Sequence, residues 1–237
     1  AMLRASAGHF PGVGWVVGGV AALVLWGALR GLPGGALGAL VAAAFSTLAT
    51  VWLTGAFHED GMADTADGLG GAVTRERALA IMKDSRIGTY GAAALVLVLA
   101  LKLALLALLA QERGAAVAAA VLLAGHVLSR FAPLLLMRAL PYVGDADGSK
   151  SKPLADAVPR GGVLVGILWS IPALALMVLE LGAFNTVAAA LLWALALLGM
   201  KRLLARRLQG FTGDTLGATQ QACEVAMLLG AVLVWPA

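Results

Sequence analysis

Cysteine is nearly missing from this sequence. Cys223 stands alone, which excludes an intramolecular disulfide and any cysteine-rich metal centre. Charge is scarce too: Lys, Arg, Asp and Glu make up 13% of the 237 residues, against about a quarter in soluble domains. A soluble fold with so few charges could not cover its surface. No basic patch interleaved with aromatics occurs, and aromatics total only 6%, so nothing points to nucleic acid. What is plentiful is apolar surface, with 61% hydrophobic residues and a mean hydropathy of +0.91.

Apolar runs of about 20 residues recur along nearly the whole chain. They are too long for barrel strands, and Ala and Leu dominate them. The expected architecture is therefore all-α: a polytopic membrane bundle of about seven helices forming a single domain over 1–237. Spans are predicted near 12–30, 35–56, 89–110, 114–137, 162–181, 184–200 and 218–236. The first run is long enough to remain as a span rather than be cleaved as a signal peptide.

Long and short connections alternate, so the N-terminus and all three long polar segments share one side. That side carries thirteen basic residues: Arg4, Arg75, Arg77, Lys83, Arg86, Arg138, Lys150, Lys152, Arg160, Lys201, Arg202, Arg206 and Arg207. The other side carries two, Arg30 and Arg113, while Lys102 and Arg130 fall within spans. The positive-inside rule then predicts a cytoplasmic N-terminus and cytoplasmic long loops.

The passage "AFHEDGMADTADGLGG" gathers Glu59, Asp60, Asp64 and Asp67 directly after a span. If 58–70 is helical, Asp60, Asp64 and Asp67 lie at i, i+4 and i+7 on one face, where like charges repel. A hard divalent cation, Mg²⁺ or Mn²⁺, would offset that repulsion. Glu59 points about 100° away and could serve a second ion or orient a ligand. The plainer reading is a solvated acidic loop. His58 is either a ligand or an interfacial histidine bonded to backbone.

The same loop continues through "IMKDSRIGTYG", which offers Lys83 and Arg86 to phosphate, with Asp84 between them. A positive-inside anchor with Asp84 as an N-cap is the competing reading. Within a span, "GHVLSRFAP" sets His126 and Arg130 at i and i+4, beside Ser129. An intramembrane arginine points to function unless it snorkels to the interface. "YVGDADGSKSKP" supplies Asp145, Asp147, Lys150 and Lys152 in a loop suited to cradling phosphate. It is not an EF-hand, because no glutamate stands at the twelfth position. Finally "QGFTGDTLGATQQACE" offers Thr212, Asp214, Thr215, Gln220 and Glu224, with a bare N-cap by Asp214 or Thr215 as the alternative.

Acids, bases, glycines and buried polar groups thus gather at one membrane face. A transport path would also place polar groups at the far face and near the midplane, so an ion-coupled transporter using Asp60, Asp64 and Asp67 is the weaker reading. Metal-assisted phosphoryl transfer suits the set better. The acid spacing resembles that of the CDP-alcohol phosphotransferases, but their arginine after the first acid pair and two further acids at fours are missing. "HEDGMADTADGLGG", "IMKDSRIGTYG" and "GFTGDTLGATQQ", in this order and multi-span setting, more closely resemble the cobalamin synthases, or adenosylcobinamide-GDP ribazoletransferases. "HFPGVGWVVGG" is similar to that family's first span. Glu59 and Met62 depart mildly from its H-x-D-G-L-A-D pattern.

The resemblance implies a bacterial inner-membrane enzyme with its site facing the cytoplasm. It would join adenosylcobinamide-GDP to α-ribazole or its 5′-phosphate, releasing GMP with Mg²⁺ or Mn²⁺, in the last steps of vitamin B12 synthesis. It also implies roles: Glu59, Asp60, Asp64 and Asp67 as metal ligands, and Asp64, Asp67, His126 and Arg130 as catalytic residues. Asp67 is the first choice of base and His126 the second. Lys83, Asp84, Arg86, Lys150, Lys152, Asp214 and Thr215 would bind substrate. Partners are these small molecules and the lipid bilayer, without nucleic acid, and association of copies into a homo-oligomer is left open. A leading segment rich in Leu, Thr and Pro is also expected from the resemblance, so the N-terminus is read as trimmed or mis-started.

Overall fold

A computed structural model describes residues 6–144 and 158–233. A single 3₁₀ turn, Ala7–His9, leads into α1, Phe10–Gly31, where Pro11 sits in the first turn and needs no partner for its missing N–H. The chain continues through α2, Ala36–Thr54; α3, Phe57–Gly70; and the short α4, Arg75–Ile81. Then come α5, Thr89–Ser129; α6, Phe131–Ala139; α7, Arg160–Leu181; α8, Ala183–Arg207; and α9, Gly213–Leu233. No β-strand occurs among the described residues. The one isolated bridge, Tyr142 with Phe211, pins the end of the 140–144 segment to the α8–α9 turn.

Among the described residues, six stretches are long and apolar enough to cross a membrane, and the longest, Thr89–Ala139, has 51 residues. At 1.5 Å per residue a straight helix of that length would be about two and a half times as long as a bilayer core is thick. It is not straight. Gly114 has φ 85, a left-handed value that glycine alone adopts without penalty, and it breaks α5 into two legs. Lys102 and His126 both reach Glu224, at 2.6 and 3.5 Å. Residues 102 and 126 would lie about 36 Å apart on one straight helix, so the legs fold back on one another. This matches the two predicted spans at 89–110 and 114–137.

α9 is the central helix. It packs on α3, α5 and α8, and most of its residues are buried. Large apolar side chains point outward elsewhere, including Leu37, Trp52 and Leu179, as a lipid-facing surface requires. With lipid outside, close packing rather than hydrophobic exclusion holds the helices together. Gly14 and Gly18 illustrate this in α1. A Cβ at Gly14 would stand 2.5 Å from the carbonyl oxygen of His126, and one at Gly18 would stand 2.8 Å from that of Leu123. The G-x-x-x-G spacing lets α1 lie directly on the second leg of α5.

α8 runs to Arg207, beyond the predicted limit near 200. Lys201, Arg202, Arg206 and Arg207 favour helix, so hydropathy locates where the chain becomes polar and not where the helix stops.

Candidate active site

The acidic passage is helical, as its spacing predicts. α2 ends on Gly55 (φ 64), and Ala56 follows in the same left-handed region (φ 58). For alanine that conformation costs about 1 kcal/mol. The double turn redirects the chain sharply into α3, so its acids start directly at the end of an apolar helix.

Asp60 is exposed, whereas Asp64 and Asp67 are half-buried on the same face. Glu59 lies on a different face, only 7% exposed, and its Oε1 accepts a 2.8 Å bond from Gln221 Nε2. Its other oxygen is buried without a hydrogen-bond partner among the described residues. Asp67 accepts from two backbone amides, Gly88 N at 2.7 Å and Gly91 N at 2.8 Å. A Cβ on either glycine would run into the Asp67 carboxylate. The glycines of "RIGTYG" are therefore where that carboxylate meets the start of α5, and its negative charge suits a helix N-terminus.

Asp214 joins the acids through backbone packing. Gly61 lies against α9 so closely that a Cβ there would stand 2.6 Å from the Asp214 carbonyl oxygen. Partial burial, followed by the charges of Asp60, Asp214 and Asp67, pushes the Asp64 carboxyl up to about 7. Three acids around one half-buried carboxylate form an electrostatically unfavourable cluster that a cation would relieve. Among the described residues, however, no three His, Cys, Asp or Glu side chains stand close enough to hold a metal ion together.

Thr215 is fully buried and forms a reciprocal capping box with Thr212. Thr212 N donates to Thr215 Oγ1 at 2.9 Å, and Thr215 N donates to Thr212 Oγ1 at 3.3 Å. Thr212 Oγ1 also donates to Asp214 Oδ2 at 3.3 Å. Lys83 is exposed. Arg86, 86% exposed, makes a two-pronged pair with Asp84 at 2.9 and 2.6 Å. That pair holds the Asp84 carboxyl down at about 2. Lys150 and Lys152, like Asp145 and Asp147, lie outside the described residues.

Arg130 does not snorkel. It is 6% exposed, and its Nη1 donates 2.9 Å to the His126 carbonyl and lies 3.2 Å from His126 Nδ1. The surrounding network is buried and charged. Lys102 Nζ stands 2.6 Å from Glu224 Oε1, Gln220 Nε2 donates to Glu224 Oε2 at 2.6 Å, and also donates to Ser129 Oγ at 2.9 Å. Beside it opens an apolar cavity of about 290 Å³, whose walls include Phe57, His58, Arg130, Phe211 and Gln220. Burial, and then the Arg130 charge, lower the His58 imidazole to about 3, so it is neutral.

Asp60, Asp64, Asp67 and Asp214 thus come together, with His126 and Arg130 one layer deeper and Lys83, Asp84 and Arg86 on the outer loop. Sequence reasoning missed three contributors. Lys102 pairs with Glu224, and an opposite intramembrane charge was the available signal. Gln221 fixes Glu59. Arg207 donates to the carbonyls of Leu69 and Gly71 at 3.2 and 2.7 Å, capping the C-terminal end of α3. No local pattern marks either of the last two.

A family model described as CobS, cobalamin-5-phosphate synthase, matches residues 1–232. The chain belongs to that family. It is 56% identical to the adenosylcobinamide-GDP ribazoletransferase of Polaromonas naphthalenivorans (strain CJ2), over 97% of this chain and 86% of the relative. The proteins of the same name from Leptothrix cholodnii and Shewanella amazonensis are 50% and 43% identical. They align over 96% and 98% of this chain and over 84% and 86% of their own lengths. No solved structure matches the chain. Family membership agrees with the resemblance carried by the three motifs, and relatives bearing a transferase name make this chain a transferase of cobalamin biosynthesis.

Proposed function

We propose that the chain joins adenosylcobinamide-GDP to α-ribazole, or to α-ribazole 5′-phosphate, and releases GMP. The observation that carries this reading is the convergence of three separated motifs on α3. Asp67 holds Gly88 and Gly91, Glu59 holds Gln221, and Gly61 seats Asp214. Motifs some 150 residues apart in sequence build one acidic surface.

In this reading the acceptor 3′-hydroxyl oxygen bonds to the phosphorus attached to cobinamide. The bond from that phosphorus to the oxygen leading into GMP breaks, GMP leaves with that oxygen, and the hydroxyl proton passes to a carboxylate of the cluster. Asp60, Asp64 and Asp214 fit Mg²⁺, or Mn²⁺ in its place, because they are hard oxygen donors whose mutual repulsion is already expressed at Asp64. Such an ion neutralises a pyrophosphate and its leaving group. Asp67 keeps the Lys83–Arg86 loop over the cluster, where both cations reach phosphate, and Arg130 adds positive charge from below. The basic-residue asymmetry supports a cytoplasm-facing site in the cytoplasmic membrane.

The test is GMP release by the purified full chain in detergent, supplied with GDP-cobinamide, α-ribazole and Mg²⁺. Stoichiometric GMP and a cobalamin product are expected. Turnover of CDP-diacylglycerol with inertness towards GDP-cobinamide would overturn the reading in favour of a phospholipid-type phosphotransferase.

A further inference from the structure

The apolar cavity beside the acid cluster has no role in the scheme above. It lies where α1, α3, α6 and α9 meet, and it abuts the cluster on both contributing helices. His58 in its wall precedes Glu59 and Asp60, and Gly213 in its wall precedes Asp214. Its volume is about 290 Å³, near the lower end for a small-molecule pocket. Phe10, Phe57 and Phe211 supply aromatic walls, and no carboxylate lines it.

Thr54, His58, Arg130, Tyr142 and Gln220 are the polar residues lining an otherwise apolar space. Arg130 makes its bonds to His126 through Nη1 alone, so its other nitrogens remain as donors. His58 is neutral. Gln220, 1% exposed, donates both its bonds through Nε2, and its buried Oε1 has no partner among the described residues. An acceptor left unmatched in a buried site is unfavourable, and a hydroxyl-bearing ligand would satisfy it.

These properties discriminate among ligands. A corrin with its amide arms is far larger than the cavity. Guanine carries several N–H donors on one edge, and the pocket holds no carboxylate to pair with them. An acyl chain fits the walls but leaves Arg130 and Gln220 Oε1 unsatisfied. A benzimidazole glycosylated on one nitrogen has no N–H at all. It presents two apolar faces and one acceptor nitrogen, and its ribose carries hydroxyl donors.

We propose that this cavity is the acceptor subsite: it takes the N-glycosylated benzimidazole ring, with Arg130 or His58 donating to the free ring nitrogen and Gln220 Oε1 receiving a ribose hydroxyl. The inference rests on the proposed transferase reading and adds which substrate enters from the apolar side. The ribose then emerges at the α3–α9 seam, where the acids lie, and the pyrophosphate donor is left to the outer loop.

The test uses Val13, a wall residue of α1 that is 54% exposed and lies outside the acid cluster. Val13→Phe should narrow the cavity, raising the KM for α-ribazole about tenfold while leaving the KM for GDP-cobinamide and kcat at saturating acceptor nearly unchanged. The penalty should shrink for the ribosyl benzimidazole that lacks the two ring methyls, a size dependence that a general structural defect would not produce. Equal losses for both acceptors, or a raised donor KM, would overturn the assignment. Equilibrium binding of α-ribazole, followed by its own fluorescence in detergent, separates this inference from the function it rests on. A wild-type chain that binds α-ribazole, with weaker binding by Val13→Phe, supports the subsite even if no GMP is released, in which case only the transfer reaction falls. Absence of α-ribazole binding, or its competitive displacement by phospholipid, would sink the subsite.

Discussion

The pair Lys102–Glu224 allows a direct test of the fold. Lys102 is 2% exposed, Glu224 is fully buried, and their charged atoms are 2.6 Å apart. At an effective dielectric constant of about 20, two charges at that distance attract by roughly 6 kcal/mol, most of which offsets their desolvation. Removing one partner strands the other, a loss of about 3–5 kcal/mol. Lys102→Met leaves Glu224 with Gln220 and His126, so its loss should fall at the lower end. Glu224→Gln leaves a buried ammonium without a counter-charge and should cost more. Removing both charges strands neither, so the double variant should be at least about 2 kcal/mol more stable than the sum of the single losses predicts. The assay is reversible unfolding of the full chain in mixed micelles, scored as a double-mutant cycle. Additive single losses below about 1 kcal/mol each would refute both the pairing and the fold-back at Gly114 that brings Lys102 to α9.

Three further expectations concern the cluster. Asp64→Asn should lower GMP release by at least about 100-fold while the protein still inserts and unfolds normally; turnover at the wild-type rate would remove Asp64 from the site. In the metal-free protein the raised Asp64 carboxyl binds a proton more tightly than in the unfolded chain. Its contribution to stability is therefore present at low pH and lost as pH rises towards about 7. Because Mg²⁺ requires the ionised form, apparent Mg²⁺ affinity should rise with pH through that range, and EDTA should abolish activity. Titration calorimetry at several pH values checks this, and a pH-independent affinity would contradict it. Gly91→Ala should push the Asp67 carboxylate off the start of α5 and raise protease sensitivity near residues 82–88, with a larger effect than Asp67→Asn, which keeps one acceptor oxygen. Limited proteolysis in detergent orders the two variants, and equal sensitivity would argue against the carboxylate as the anchor.

Some of this was legible in the residues alone. Helix is the only spanning element compatible with such long apolar runs, and the period of Asp60, Asp64 and Asp67 places them on one face by spacing alone. Charge asymmetry and motif order pointed to one surface. Other parts were not legible for physical reasons. Glu59 and Asp67 belong to the same acidic run, and nothing local says that one turns inward to Gln221 while the other clasps two backbone amides. Those bonds span 162 residues in one case and 21 and 24 in the other. For Thr215 the sequence offered both substrate binding, from the resemblance, and a helix cap, and the structure shows its hydroxyl in the cap.

The sequence by itself determined the class of protein, its helical build and the collection of acids, because these follow from composition and from spacing along a single helix. Only the tertiary structure decided which carboxylates face one another, that Arg130 is held inward beside a buried ion pair, and that an apolar cavity adjoins the acids. Contacts between helices depend on how closely glycines such as Gly14, Gly18 and Gly61 let backbones approach, and that distance is a property of two helices together.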